Sequence, residues 1–223
     1  MKTVLITGVD KGIGKAVLEK FQNEEFFAIG TYLKDKPEDR DNVLFIQMDI
    51  SKEESIAVCV KDLKEKNIRI DILINNAGVL LDREEIHLDI SKLRDTMEVN
   101  LFGLVDFTEQ IIPLINEGGH IVNISSIAGS FAHVDTGKGR APNHYPAYRI
   151  SKAGLNMYTN TLAEILRPKN ICVSSLHPGL TKTEMGGEEA VQTAEETAKK
   201  VFEFANSKVE TGNFWFEGKI LEW

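Results

Sequence analysis

The chain has 223 residues and a formal net charge of −8, with 26 Lys and Arg against 34 Asp and Glu. That length suits one α/β domain, or two small ones, and buries roughly 70% of the unfolded surface without covalent staples. The charge argues against broad nucleic-acid binding, which needs a basic stripe to displace counterions, and against an anionic membrane surface.

MKTVLITG reaches a glycine after a handful of apolar residues, too short for a signal-peptide core. No apolar run approaches the roughly 20 residues of a membrane span. Cys59 and Cys172 lie far apart among apolar neighbours, with no CxxC or Cys/His cluster. They read as free thiols in a reducing compartment, with no metal site. A soluble, cytoplasmic protein is expected.

Taken in chain order, TVLIT (3–7), FFAIGTY (26–32), VLFIQM (43–48), DILINN (71–76), HIVNIS (120–125), ICVSSL (171–176) and NFWFE (213–217) read as strands. They are almost continuously apolar, as strands buried on both faces are. Helical patterns fall between them at 13–23, 52–67, 91–116, 147–167 and 193–207. The alternation predicts one α/β domain of stacked βαβ units, with about seven mostly parallel strands and helices on both faces.

Three glycines, Gly8, Gly12 and Gly14, stand between the first strand and the first helix, in ITGVDKGIGKAVLEKF. Such a turn lets the backbone approach a diphosphate seated on the helix's positive end. The G-x-x-x-G-x-G spacing departs from the commoner G-x-G-x-x-G. A carboxylate closing the second strand would hold a ribose 2′-hydroxyl and repel a 2′-phosphate. That strand ends instead in GTYLKDK, with Thr31 and Tyr32 at the relevant positions and Asp35 later. With Lys11 and Lys34 nearby, NADP(H) is favoured over NAD(H).

Tyr148 and Lys152 are four residues apart and share a helix face. On spacing alone surface packing is the better reading of the pair. NISS ends an apolar strand and delivers a hydroxyl to the sheet edge that carries the glycine loop. Period-two alternation turns Ser125 away from the side Ser126 faces. Asn100 interrupts an apolar helical run, MEVNLFGLV, where it could cap a kink. Tyr145 and Tyr158 lack a lysine four residues on. His87, His120, His133, His144 and His177 form no Ser-His-acid arrangement and read as structural or surface residues.

TGVDKGIG, Asp49-Ile50, NNAG at 75–78, Asn100, NISS at 123–126, YRISK at 148–152 and PGLTKT at 178–183 stand in one order. In that order they resemble the short-chain dehydrogenases/reductases over essentially the whole chain, which implies a single Rossmann-type, doubly wound domain. TEMGG and the ending GNFWFEGKILEW look like the carbonyl-reductase, sniffer and C-factor-like branch. The resemblance implies cofactor binding by Gly8, Lys11, Gly12, Ile13, Gly14, Thr31, Asp49, Ile50, Asn76, Ala77, Gly78, Tyr148, Lys152, Pro178, Gly179 and Thr181. Within that set it puts Asp49 against the adenine amino group, Asn76 and Ala77 on the adenosine side, and Thr181 near the nicotinamide.

It also implies that Ser126 hydrogen-bonds the substrate oxygen and that Tyr148 donates the proton. Lys152 would hold the nicotinamide ribose and lower the Tyr148 pKa, while Asn100 would hold a water linking that lysine to solvent. The expected activity is hydride transfer between NADP(H) and a small-molecule carbonyl or alcohol: an aldehyde, ketone or quinone. The alternative is a nucleotide-binding signalling protein of the C-factor type with little turnover. A sugar-nucleotide epimerase is disfavoured by the short carboxyl-terminal region. Relatives pair long helices, so a homodimer is possible. The separation of Ser126 from Tyr148 exceeds the family's usual one, and residues 127–146 are expected to wall the substrate site, with Gly137 and Gly139 giving flexibility. The segment from Thr183 to the helix at 193 is short, which implies an open cleft.

Overall fold

The computed structural model describes residues 1–133, 145–187 and 189–223. In chain order the elements are β1 (Thr3–Ile6), α1 (Gly12–Asn23), β2 (Phe27–Tyr32), β3 (Val43–Gln47), α2 (Glu53–Glu65), β4 (Ile70–Asn75) and α3 (Ile90–Met97). Then follow α4 (Gly103–Ile111), β5 (Ile115–Ile124), α5 (Pro146–Leu166), β6 (Cys172–Leu176), α6 (Ala194–Ala205), β7 (Phe214–Phe216) and β8 (Lys219–Leu221). One sheet holds the strands in the order β3-β2-β1-β4-β5-β6-β7-β8, parallel except for the β7–β8 pair.

Strand alternation divides the core in two. Leu5, Ile29, Leu73, Ile121 and Val173 face one side, where they meet Ile56 and Leu63 of α2, Phe107 of α4 and Leu155 of α5. Val4, Ile6, Ala28, Ile74 and Val122 face the other, against Val17 and Phe21 of α1 and Val201 and Phe204 of α6. Each face is therefore covered by helices, which is why the central strands are apolar on both sides over most of their length. Among the described residues no helix is long and apolar enough to cross a membrane.

The sheet has eight strands rather than about seven. Glu217 and Gly218 both take positive φ (48° and 75°), the geometry of a two-residue hairpin turn that folds Lys219–Leu221 back on β7. Three residues are too few to show a strand pattern in the sequence.

The helix expected over 91–116 is instead broken. A five-residue π turn at Glu98–Phe102 separates α3 from α4, and a 3₁₀ turn at Ile112–Leu114 leads into β5 at Ile115. The apolar run hides the first break, whereas Pro113 marks the second. The π turn matters because such bulges re-aim one side chain, here that of Asn100.

β1 pairs with β2 on one side and with β4 on the other. The chain thus winds in opposite directions from β1, and the crevice beyond the carboxyl ends of β1 and β4 is where such sheets bind ligands. The glycine loop, the NNAG segment, Ser126 and the Pro178-Gly179 segment all leave strands at that edge.

Candidate active site

Thr7, just past β1, ties the two loops at the crevice together. Its hydroxyl accepts the N–H groups of Asn76 and Ala77, each at 3.0 Å. Asn76 Nδ2 donates in return to the carbonyls of Thr7 and Gly8, also at 3.0 Å. A Cβ on Gly14 would lie 2.0 Å from Gly8 O and 2.4 Å from Asn76 Nδ2, so only glycine lets α1 start directly beneath the loop. The first turn of α1 carries no acidic residue, and its N-cap Lys11 makes no side-chain cap. Its N–H groups and positive dipole end are left to an anion. This cradle fits the diphosphate of a dinucleotide.

The remaining expected cofactor contacts are placed less uniformly. Thr31 is 2% exposed; its hydroxyl accepts Gly8 N–H at 3.2 Å and its carbonyl accepts Val9 N–H at 2.9 Å. It braces the loop instead of presenting a hydroxyl to a ribose, because burial turns it inward. Asp49 Oδ1 accepts Ser51 N–H at 3.0 Å and the Ser51 hydroxyl at 2.7 Å. Ile50 is buried beside it, and Ile13 packs against the α1/α6 core. Lys11 forms an exposed ion pair with Glu184, and Lys34 is exposed.

On the opposite wall Pro178 and Gly179 follow β6. Thr181 is 3% exposed, with its hydroxyl 2.8 Å from that of Thr197 on α6. Thr183 faces the glycine loop, its Cγ2 3.3 Å from where a Gly12 Cβ would stand. The short segment anticipated as leaving an open cleft is tied at two points, by Glu184 to Lys11 and by Arg83 to the carbonyls of Glu184 and Met185.

Ser126 leaves β5 in extended backbone and caps the turn Ile127–Gly129, its Oγ accepting Ala128 N–H at 3.2 Å. Ser125 points away: it is buried and donates to Asn156 Oδ1 at 2.6 Å. Tyr148 lies in the first turn of α5 and Lys152 one turn on, with Nζ over the Tyr148 ring 5.6 Å from its centroid. Lys152 Nζ also donates to Ile124 C=O at 2.9 Å, which fastens the lysine to the end of β5. Gly78 forms the floor, where a Cβ would come within 3.8 Å of Lys152 Nζ and 3.2 Å of Asn100 Oδ1.

Asn100 is fully buried. Its amide accepts Val79 N–H at 2.8 Å and donates to Val79 C=O at 2.9 Å and to Ser151 Oγ at 3.1 Å. Ser151 Oγ in turn donates to Tyr148 C=O at 2.7 Å. The side chain expected to hold a water is thus committed to protein groups. It pins the β4–α3 loop to the helix of Tyr148.

Electrostatics also differ from expectation. Burial pushes the Tyr148 phenol up to about 12, against a hydrogen bond with Ser126 that works downward; Tyr145 adds a further upward push. Burial brings Lys152 down to about 8. The anticipated lowering of the Tyr148 pKa by an adjacent ammonium does not appear: burial dominates, and the ammonium sits over the ring face. Near neutral pH the phenol keeps its proton.

The other tyrosines and histidines fall outside this set. Tyr145 packs edge-on to Tyr148 at 6.0 Å, and Tyr158 donates to Glu109 at 2.9 Å. His177 stacks on Phe216 at 4.8 Å. His133 Nδ1 is 2.9 Å from Ser130 Oγ. Gly137, Gly139, His144 and most of the anticipated substrate wall lie outside the described residues. Sequence reasoning missed Val79, Asp82, Arg83, Ser151 and Glu184, whose roles come from contacts 21 to 102 residues apart in the chain. Only the polar pair Asp82-Arg83 after an apolar VLL offered a signal.

Residues 2–194 match the sequence family described as short chain dehydrogenase. The chain is 29% identical over 232 aligned positions to 1-hydroxy-2-glutathionyl-2-methyl-3-butene dehydrogenase of Rhodococcus sp. (strain AD45), covering all of both proteins. It superimposes with TM-score 0.89 on the carbonyl reductase Sniffer of D. melanogaster, at 25% identity and full coverage of both chains. A TM-score of 0.89 is also found with the NADPH-bound carbonyl reductase from chicken fatty liver, at 23% identity, over 100% of this chain and 94% of that one. Sequence match, fold and the grouping of Ser126, Tyr148 and Lys152 agree: the chain belongs to the short-chain dehydrogenase family.

Proposed function

We propose that the protein reduces aldehydes, ketones or quinones with NADP(H), Tyr148 supplying the proton. The observation that carries this reading is the convergence of the Ser126 hydroxyl, the protonated Tyr148 phenol and the Lys152 ammonium at the mouth of the dinucleotide cradle. A bound reduced nicotinamide supplies the hydride to the carbonyl carbon.

The chain's own groups handle the oxygen. Ser126 donates a hydrogen bond that polarises the carbonyl, and Tyr148 gives its proton to the forming alkoxide. Lys152, cationic when its ammonium is partnered by cofactor hydroxyls, stabilises the tyrosinate left behind. Asn100 keeps the Gly78–Val79 floor and α5 in register, so the three groups share one geometry. NADP(H) is favoured because the loops that follow β1 and β2 carry the exposed Lys11 and Lys34, and β2 itself ends in Thr31 and Tyr32 and not in an acid. The NADPH seen in the chicken carbonyl reductase is in line with this preference. The free thiols Cys59 and Cys172 fit a reducing, cytoplasmic setting.

The test is NADPH oxidation, followed by its loss of absorbance, across a panel of aldehydes, ketones and quinones. Turnover that disappears in Tyr148→Phe while NADPH still binds supports the proposal; no turnover by the wild-type protein on any carbonyl defeats it.

A further inference from the structure

α5 lacks a conventional start. Its N-cap, Tyr145, makes no side-chain cap and takes φ +25°, a conformation L residues rarely adopt. The first turn contains no acidic residue, and Pro146 has no N–H to offer. The acceptor comes from elsewhere: Asp82 Oδ2, in the loop after β4, takes Ala147 N–H at 2.6 Å. Asp82 is 1% exposed, and its other oxygen, Oδ1, is buried without a hydrogen-bond partner among the described residues.

A buried carboxylate with one unpaired oxygen is a poor way to gain stability, since each unmet polar group costs free energy. It is a good way to fix one helix end, because charge, dipole and hydrogen bond all act on the same turn. Ala147 immediately precedes Tyr148. The same loop grips α5 at a second point, through Val79, Asn100 and Ser151, whose hydroxyl reaches Tyr148 C=O. The next residue, Arg83, holds the carbonyls of Glu184 and Met185 on the facing wall. The loop therefore joins the helix of Tyr148 to both sides of the crevice.

We propose that Asp82 is a positioning residue for catalysis: by holding Ala147 N–H from across the crevice, it sets the height of the first turn of α5 and so the place of the Tyr148 hydroxyl. The proposal rests on Tyr148 being the proton donor. Asp82 is buried against α5, so it is expected to act through Tyr148 and to leave nucleotide binding unchanged.

Three variants test this. Asp82→Ala removes the acceptor, and Asp82→Asn keeps an oxygen able to take Ala147 N–H. Asp82→Ser is too short to reach it and replaces the alanine variant should that one not fold. For Asp82→Ala the expected result is a kcat at least about tenfold lower per NADPH-binding site, with the KM for NADPH within about twofold of wild type. Hydrogen exchange of the amides at 147–152 should accelerate, and Asp82→Asn should restore kcat to within about threefold.

A merely structural role would reduce the amount of folded protein and leave kcat per binding site unchanged. Asp82→Ala turnover within about threefold of wild type overturns the proposal. So does a loss in Asp82→Asn as deep as in alanine, or unaltered exchange at 147–152. If the wild-type protein turns over no carbonyl, the functional reading fails by itself, and amide exchange alone then decides the role of Asp82.

Discussion

Lys152 is 4% exposed, and burial brings its ammonium down from 10.5 to about 8. A lysine whose folded pKa is depressed contributes stability above its unfolded pKa, and that contribution is lost as pH falls through 8. At pH 7 the buried ammonium thus costs the cofactor-free protein about 3 kcal/mol. Replacing it should give most of that back, less about 1 kcal/mol for leaving Ile124 C=O unpaired. Lys152→Met is therefore expected to melt a few degrees higher than wild type at pH 7 without cofactor. Its turnover should fall by roughly 10²-fold or more. Calorimetry beside a turnover assay checks both halves, and a lower melting temperature would contradict the burial argument. The residue is retained at the expense of stability, as functional groups often are.

Helix ends and strand ends place these side chains, and not all of them are fixed by local sequence. α6 begins with a capping box, Thr193 and Glu196 exchanging bonds at 2.9 and 3.2 Å, and its start was legible to within a residue. α5 begins with nothing of the kind, and its acceptor lies 65 residues away. The π turn before α4 is equally silent in sequence, because Val, Leu and Phe satisfy a helix and its bulge alike. The candidate site residues come from seven motifs standing in one order and from the resemblance they carry, since the Tyr-Lys interval alone does not separate chemistry from surface packing. What could not be read was how Asn100 and Thr31 spend their polar atoms, since their partners arrive only with the tertiary fold.

A buried histidine shows the same dependence on packing between elements. His120 of β5 sits with Nδ1 3.1 Å from Ala205 C=O at the end of α6 and Nε2 3.1 Å from Ser174 Oγ on β6. Burial pushes it down to about 4. Its folded pKa is depressed, so its contribution is present above pH 6.5 and lost as pH falls through 4, about 3 kcal/mol in all. Melting temperature is expected to drop between pH 6.5 and 4, with a shallower slope in His120→Gln. Parallel curves for the two proteins would show that His120 is not the group responsible.

At the scale of the whole molecule, the sheet buries both faces under helices and leaves one edge for chemistry. The phosphate cradle, the Ser126 turn and the start of α5 meet there because β1, β4 and β5 are neighbours that end together. Lys11 and Lys34 are exposed in the loops that follow β1 and β2, and the proposed preference for NADP(H) assigns them to a 2′-phosphate. Removing both, Lys11→Ala with Lys34→Ala, is expected to raise the KM for NADPH about tenfold or more and to leave NADH nearly unchanged. Equal effects on the two cofactors would assign these lysines to general electrostatics.

The most direct measurement is on Tyr148→Phe, comparing NADPH affinity by fluorescence titration with NADPH-dependent carbonyl reduction. The phenol's hydroxyl is the only atom removed, and the cradle built by Thr7, Gly8, Gly14 and Asn76 is untouched. The expected result is affinity within about threefold of wild type and turnover lower by about 10²-fold or more. A variant that binds NADPH and still reduces carbonyls at near wild-type rate would contradict the assignment of Tyr148 as the proton donor.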